Sequence, residues 1–172
     1  AIRPHGATDL ASALQRQPAL FGPDVAEVDW IETHISWLLL AGDRVYKFKK
    51  PLKLDFLDFS TRALRRAACE EELRINRRTA PALYLGVVPI TGRPDAPAIG
   101  GAGPVLDWAV HMRRFPARAE LTHMLARGGL QAAHIDALAR QVAALHAGAA
   151  RAAPDGPFGQ PHALARLVND NF

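Results

Sequence analysis

The residues with the most chemical reach are lysines and glutamates. In the run Arg44-Val45-Tyr46-Lys47-Phe48-Lys49 side-chain character alternates, as in a half-buried strand. Val45, Lys47 and Lys49 then share one face and Tyr46 and Phe48 the other, with Lys50 directly following. Further on, Glu70-Glu71-Glu72 stand among arginines at spacings that suit i,i+4 pairing on a helix. The pairs Arg65-Arg66, Arg77-Arg78 and Arg113-Arg114 add charge that could meet phosphate, in a nucleotide or a nucleic acid. The alternative is a solvated, arginine-rich surface.

The elements that must hold these groups follow from pattern and punctuation. Thr8 to Gln17 reads as a short helix capped by Thr8, with Leu10, Ala13 and Leu14 on one face and Pro18 as its stop. Val25 to Leu40 is β-like, Ala41-Gly42-Asp43 is a tight turn, and Arg44 to Lys49 is the returning strand, ended by Pro51. The loop Leu52 to Phe59 carries apolar residues and is expected to pack down. Ser60 or Thr61 opens a long helix to about Arg78, with Leu64, Ala68 and Ile75 on one stripe. Leu83 to Ile90 is a strand and Thr91-Gly92-Arg93-Pro94 a turn. Pro94 to Pro104 is a loop or hairpin tip, and Val105 to Phe115 a further strand. Helical character begins after Pro116: Leu121, Met124 and Leu125 form one apolar face, and Ile135, Leu138, Val142 and Leu145 another. A Gly/Ala/Pro-rich stretch at 147–161 precedes a last helix, His162 to Asn169. Strands, helix, strands, helices argue for an α+β fold.

Composition narrows the function classes. The chain has 172 residues, 49% of them hydrophobic, and a net charge of +4, enough for a domain with a real core and against disorder. The single cysteine, Cys69, excludes an intrachain disulfide and points to a reducing, cytoplasmic setting. No apolar run is long enough to span a membrane, and no signal peptide is visible. A Walker-A loop, a nucleophile elbow and a zinc-ligand cluster are all missing from the sequence. A start at Ala1 and an end at Asn169-Asp170-Asn171-Phe172 read as those of a fragment.

Several stretches carry a family likeness through their order and spacing. They are Glu32-Thr33-His34-Ile35-Ser36-Trp37, Val45-Tyr46-Lys47-Phe48-Lys49-Lys50-Pro51, Phe56-Leu57-Asp58-Phe59-Ser60, and Cys69-Glu70-Glu71-Glu72-Leu73-Arg74-Ile75-Asn76-Arg77-Arg78. Ala80-Pro81-Ala82-Leu83-Tyr84-Leu85, the hinge-like Ala109-Val110-His111-Met112-Arg113-Arg114-Phe115-Pro116 and the helix ending Ala144-Leu145-His146 complete the set. Together, over most of residues 9–172, they resemble a family of bacterial proteins. These carry an aminoglycoside-phosphotransferase-like domain, often fused to a downstream P-loop ATP-binding domain.

The resemblance implies a protein-kinase-like N-lobe, an antiparallel sheet plus one long helix, followed by the first helices of a truncated C-lobe. The expected divisions are an N-terminal helical segment at 1–24, the N-lobe at 25–116 and the start of the C-lobe at 117–172. It implies ATP as cofactor, held at its phosphates by Lys47 as a point charge, with Lys49 and Lys50 as alternative registers. The lysine's partner is one of Glu70, Glu71 and Glu72. The family pattern points to Glu72, whereas Glu71 lies nearer the centre of the Leu64, Ala68, Ile75 stripe. The turn that should cradle phosphates has no glycine here, so the hydroxyls of Thr33 and Ser36 and the His34 ring stand in as donors. Val110 and Met112 of the hinge-like segment complete the nucleotide contacts. Asp55, where the family more often has glycine, and Asp58 receive no catalytic role, and His146 reads as structural.

The catalytic His-Gly-Asp-x-His-x-x-Asn pattern and a later magnesium aspartate do not occur in the sequence. Magnesium ligands are therefore expected outside this chain, and no phosphoryl transfer is expected from it alone. The expected partners are a nucleotide, a P-loop domain in the same polypeptide and a second copy of the chain, drawn by apolar surface between Leu121 and Leu145. Two other readings stand beside this one: a non-catalytic, nucleotide-binding regulatory module, and a basic nucleic-acid-binding domain stacking bases on Trp30, Trp37, Trp108 and Tyr84. No recognition motif supports the last.

Overall fold

The computed structural model describes residues 5–169. Among them the chain forms two compact units, divided between Leu130 and Gln131. The division falls later than the change of character at 116/117. The N-terminal helix is no separate segment, since Leu10, Ala11 and Leu14 belong to the core of the first unit.

That unit is built on a six-stranded antiparallel sheet. β1 (Val28–Glu32), β2 (Ser36–Ala41) and β3 (Arg44–Lys49) form a meander. The β2–β3 turn needs a left-handed residue, and Gly42 supplies it with φ +57°. β3 then pairs with β8 (Val105–Arg113), and β8 with β6 (Tyr84–Arg93). β7 (Ala96–Ile99) hairpins back onto β6, so Thr91-Gly92-Arg93 continue the strand and the turn comes at Pro94-Asp95. β4 (Lys53–Leu54) and β5 (Leu57–Asp58) make a small separate ladder. The loop containing it packs down only at its end: Phe59 is buried, but Phe56 is 82% exposed.

The sheet has two differently furnished faces. On one, Trp37, Leu39, Tyr46, Phe48 and Ala109 join Leu10, Ala11 and Leu14 of α1 (His5–Gln15) in the apolar core. Thr8 lies inside this helix rather than ahead of it, and Pro18 opens a short 3-10 turn after it. The strand register puts Ile31, Leu38, Leu40, Val45, Lys47, Lys49, Val110 and Met112 on the other face. Here lies α2 (Arg62–Asn76), which Thr61 caps by accepting the Leu64 amide at 3.2 Å.

α2 does not pack through the stripe its apolar residues define. Leu64 and Ile75 are exposed. Its buried positions are Arg65 and Cys69, with Glu72 half-buried a turn further on, all on one helical face. The face is polar because its partners are charged. Arg65 Nε donates to both carboxylate oxygens of Asp107 at 3.0 Å, and its Nη1 donates to the Phe59 carbonyl at 3.0 Å. Past β8 come a short 3-10 turn and α3 (Leu121–Ala126), on which Leu121 and Leu125 are exposed.

The second unit holds α4 (Ala132–Ala147) and α5 (Pro161–Asn169). Gln131 caps α4, and its amide donates to His134 Nδ1 at 3.0 Å in a capping box. Ile135, Leu138 and Val142 of α4 and Leu164, Leu167 and Val168 of α5 are exposed.

Candidate functional site

Lys47 and Lys49 extend from β3 toward α2 and converge on one carboxylate. Lys47 Nζ is 2.9 Å from Glu72 Oε1, and Lys49 Nζ is paired with Glu72 Oε2. The two lysines differ in setting. The Lys49 side chain is 6% exposed and lies over the Phe59 ring, whereas that of Lys47 is 26% exposed. Burial pushes the Glu72 carboxyl up, but hydrogen bonds from Lys49 and Lys47, and their charges, outweigh it and hold it below the ordinary glutamate range. Asn76 Nδ2 donates to the Glu72 carbonyl at 2.9 Å.

Of the three candidate glutamates, only Glu72 meets a strand lysine. Glu70 pairs with Arg66 and Glu71 with Arg74, both on the exposed side of α2. The helix geometry that favoured Glu71 took Leu64, Ala68 and Ile75 as the buried stripe; the buried line through Arg65 and Cys69 brings Glu72 to the sheet instead. Lys50 turns to the opposite face, where it pairs with Glu32 and lies 5.6 Å from the centre of the Trp37 ring.

On the same face as Lys47, a hollow of about 460 Å³ opens over β1, β2, β3 and β8. Its floor is apolar: Ile31, Leu38, Leu40, Val45 and Met112. Leu38 is the cross-strand partner of Lys47, and Val45 that of Met112, so the hollow and the lysine cluster are neighbours on one sheet face. Phe115 lines one side. Arg114 Nη2 is 3.1 Å from Asp29 Oδ2, and both residues line the hollow. Met112 thus lines the hollow. Val110 lies opposite Lys47 on β8, fully buried beneath the cluster rather than in the hollow.

The β1–β2 turn is arranged differently from the expected row of donors. Thr33 Oγ1 accepts the Ser36 amide at 3.0 Å and donates to the Ser36 carbonyl at 3.1 Å, so this hydroxyl closes its own turn. Ser36 is fully buried as the cross-strand neighbour of Lys49, and its hydroxyl has no partner among the described residues. His34 is exposed at the tip. Among the described residues, no group of three or more His, Cys, Asp or Glu side chains could hold a metal ion, and no helix is long and apolar enough to cross a membrane.

Sequence reasoning missed the second lysine on Glu72, the Arg65–Asp107 pair and the apolar hollow. Only the first had a visible signal, the shared strand face of Lys47 and Lys49. Taken together, the site offers an apolar hollow beside a cationic cluster of two lysines and one carboxylate.

Comparison with known proteins gives relatives without assigned activities. The chain is 36% identical over 145 residues to uncharacterized proteins of Mycobacterium bovis and Mycobacterium tuberculosis. The match takes in 84% of this chain but only 28% of each relative, so the chain spans less than a third of the length of the curated relatives it matches. No family model and no solved structure matches it.

Proposed function

We propose that this chain is the ATP-binding portion of a small-molecule phosphotransferase of the aminoglycoside-phosphotransferase-like, protein-kinase-like kind, with an acceptor still to be identified. One observation carries the reading. A lysine on the third strand is paired with a glutamate on the following long helix, Lys47 with Glu72 at 2.9 Å, on the sheet face that also bears the apolar hollow. Protein kinases use that pairing to aim an ammonium group at nucleotide phosphates. In this reading Leu38, Leu40, Val45 and Met112 receive the base and Lys47 the phosphates. β1–β3, α2, β6 and β8 form the N-lobe, and α3 to α5 are the first helices of the C-lobe.

The donors present fit a nucleotide but not its magnesium ion, for which the described residues offer no cluster. In this reading the magnesium ligands, the catalytic aspartate and a P-loop domain lie in a part of the full protein outside this chain, and the mycobacterial relatives are long enough to hold them. The closed Thr33 turn favours a second reading, a nucleotide-binding module that regulates an attached domain without catalysis. A nucleic-acid surface is less favoured, since Trp37 is buried and Arg66 covers the Trp108 ring at 4.5 Å. The exposed apolar residues of α3 and α4 support self-association of the chain, which a strictly monomeric species in sedimentation at high concentration would exclude.

Isothermal titration calorimetry of the purified chain with ATP and with adenosine tests the main reading. ATP should bind more tightly than adenosine, and Lys47→Ala should remove about tenfold or more of the ATP affinity while sparing adenosine. Equal ATP affinity of the wild type and Lys47→Ala would overturn it.

A further inference from the structure

Two lysines share one carboxylate, and their settings divide the labour. Lys49 is almost fully enclosed, paired with Glu72 Oε2 and seated over the Phe59 ring. Lys47 holds Glu72 Oε1 from a position open to the hollow's face. An anion arriving on that face can draw Lys47 away from Glu72, but it cannot easily draw Lys49. A half-buried carboxylate deserted by its only cation would be destabilised in its charged form and would tend to take up a proton. The second lysine prevents this.

We infer that Lys49 is a positioning residue: it keeps Glu72 ionised and docked on β3, so that Lys47 can exchange the carboxylate for an incoming phosphate without loosening α2. The release of Lys47 rests on the nucleotide-binding reading above; the anchoring of Glu72 by Lys49 does not. Other ionisable groups around Glu72 are few. Tyr84 of β6 and the Cys69 thiol of α2 both feel its charge, and burial raises both, so neither adds a second anion beside the carboxylate.

The experiment has two arms. In the first, the ligand-free chain carries a carbon-13 label on the glutamate carboxyls, and the Glu72 titration is followed by NMR in Lys47→Met, Lys49→Met and Lys49→Arg. The midpoint should rise by at least ~0.5 unit more in Lys49→Met than in Lys47→Met. In Lys49→Arg it should stay near that of the wild type. A larger rise in Lys47→Met, or none in Lys49→Met, overturns the anchoring role whatever the chain binds.

In the second arm, ATP and adenosine are titrated calorimetrically at about pH 6 in buffers of different ionisation enthalpy, which count protons taken up on binding. Lys49→Met should bind ATP about tenfold more weakly and with proton uptake that the wild type lacks, keep its adenosine affinity, and recover on Lys49→Arg. Wild-type chain that fails to prefer ATP over adenosine defeats the nucleotide reading, while the NMR arm still decides the anchoring role of Lys49.

Discussion

Arg65 and Asp107 form a buried ion pair in which one guanidinium nitrogen lies 3.0 Å from each carboxylate oxygen. The contact joins the first turn of α2 to β8, and the same guanidinium donates to the Phe59 carbonyl at 3.0 Å. Asp107 Oδ1 also accepts the Trp108 amide at 2.9 Å, so both charges are satisfied beyond one another. Such a pair need not be more stabilising than an apolar substitute, but removing one partner strands the other in a dry setting.

Arg65→Met should therefore destabilise the chain by about 3–5 kcal/mol, read as a lowered urea midpoint. Lys in its place should restore only part, since a single ammonium cannot reproduce the fork that serves Asp107 and Phe59 together. A midpoint unchanged in Arg65→Met would mean that α2 is held by other contacts.

Filling the hollow should separate base from phosphate. Leu38→Trp places a large ring among Leu40, Val45 and Met112, so adenosine and ATP should lose affinity by a similar factor, about tenfold or more. Lys47→Ala should weaken ATP alone. Calorimetry on both variants checks the contrast, and a Leu38→Trp chain that still binds adenosine at full strength would place the base elsewhere.

Acid should weaken the α2–sheet contact in a defined direction. The Glu72 carboxyl is depressed in the folded chain, where Lys49 and Lys47 outweigh the opposing effect of burial. Its stabilising contribution is complete above the unfolded glutamate value of about 4.3 and is lost as pH falls through the lower folded value. Denaturation midpoints should drop over that window in the wild type. In Glu72→Gln the drop should be smaller, because the group that titrates is gone.

The Cys69 thiol should be inert while the chain is folded. It is fully enclosed between α2 and β8, and burial pushes it up to about 12. Its reaction with a thiol-specific disulfide reagent at neutral pH should be ~100-fold or more slower than in denaturant, because the thiolate is scarce and shielded. Fast native-state reaction would show that α2 lifts from the sheet.

The strand half of this fold was largely legible in the sequence. The alternation of Arg44 to Lys49 and the Ala41-Gly42-Asp43 turn gave β3 its bounds, because period-two patterning and a left-handed glycine are local signals. Ser60 and Thr61 likewise announced α2, of which Thr61 is the cap. What pattern could not yield was the docking face of that helix. Counting apolar residues selected Leu64, Ala68 and Ile75, but the strand residues that α2 meets include Lys47 and Lys49 of β3 and Asp107 of β8, and these charges recruit Glu72 and Arg65. Long-range complementarity of this kind spans dozens of residues and leaves no periodic trace. The settings of Thr33 and Ser36 were hidden for a similar reason: composition counts hydroxyls as donors, whereas folding closed one into its own turn and buried the other.

α2 is fastened along its whole length: by Arg65 near its start, Cys69 and Glu72 in its middle, and Arg77, just past its end, on the carbonyls of Tyr84 and Leu85. A rod bolted at so many points moves with the sheet as one plate. Swinging it outward as an on–off lever would mean breaking several charged contacts together. Any control over this site is therefore more economically exerted at the rim, where Arg114 and Asp29 meet through a single exposed contact.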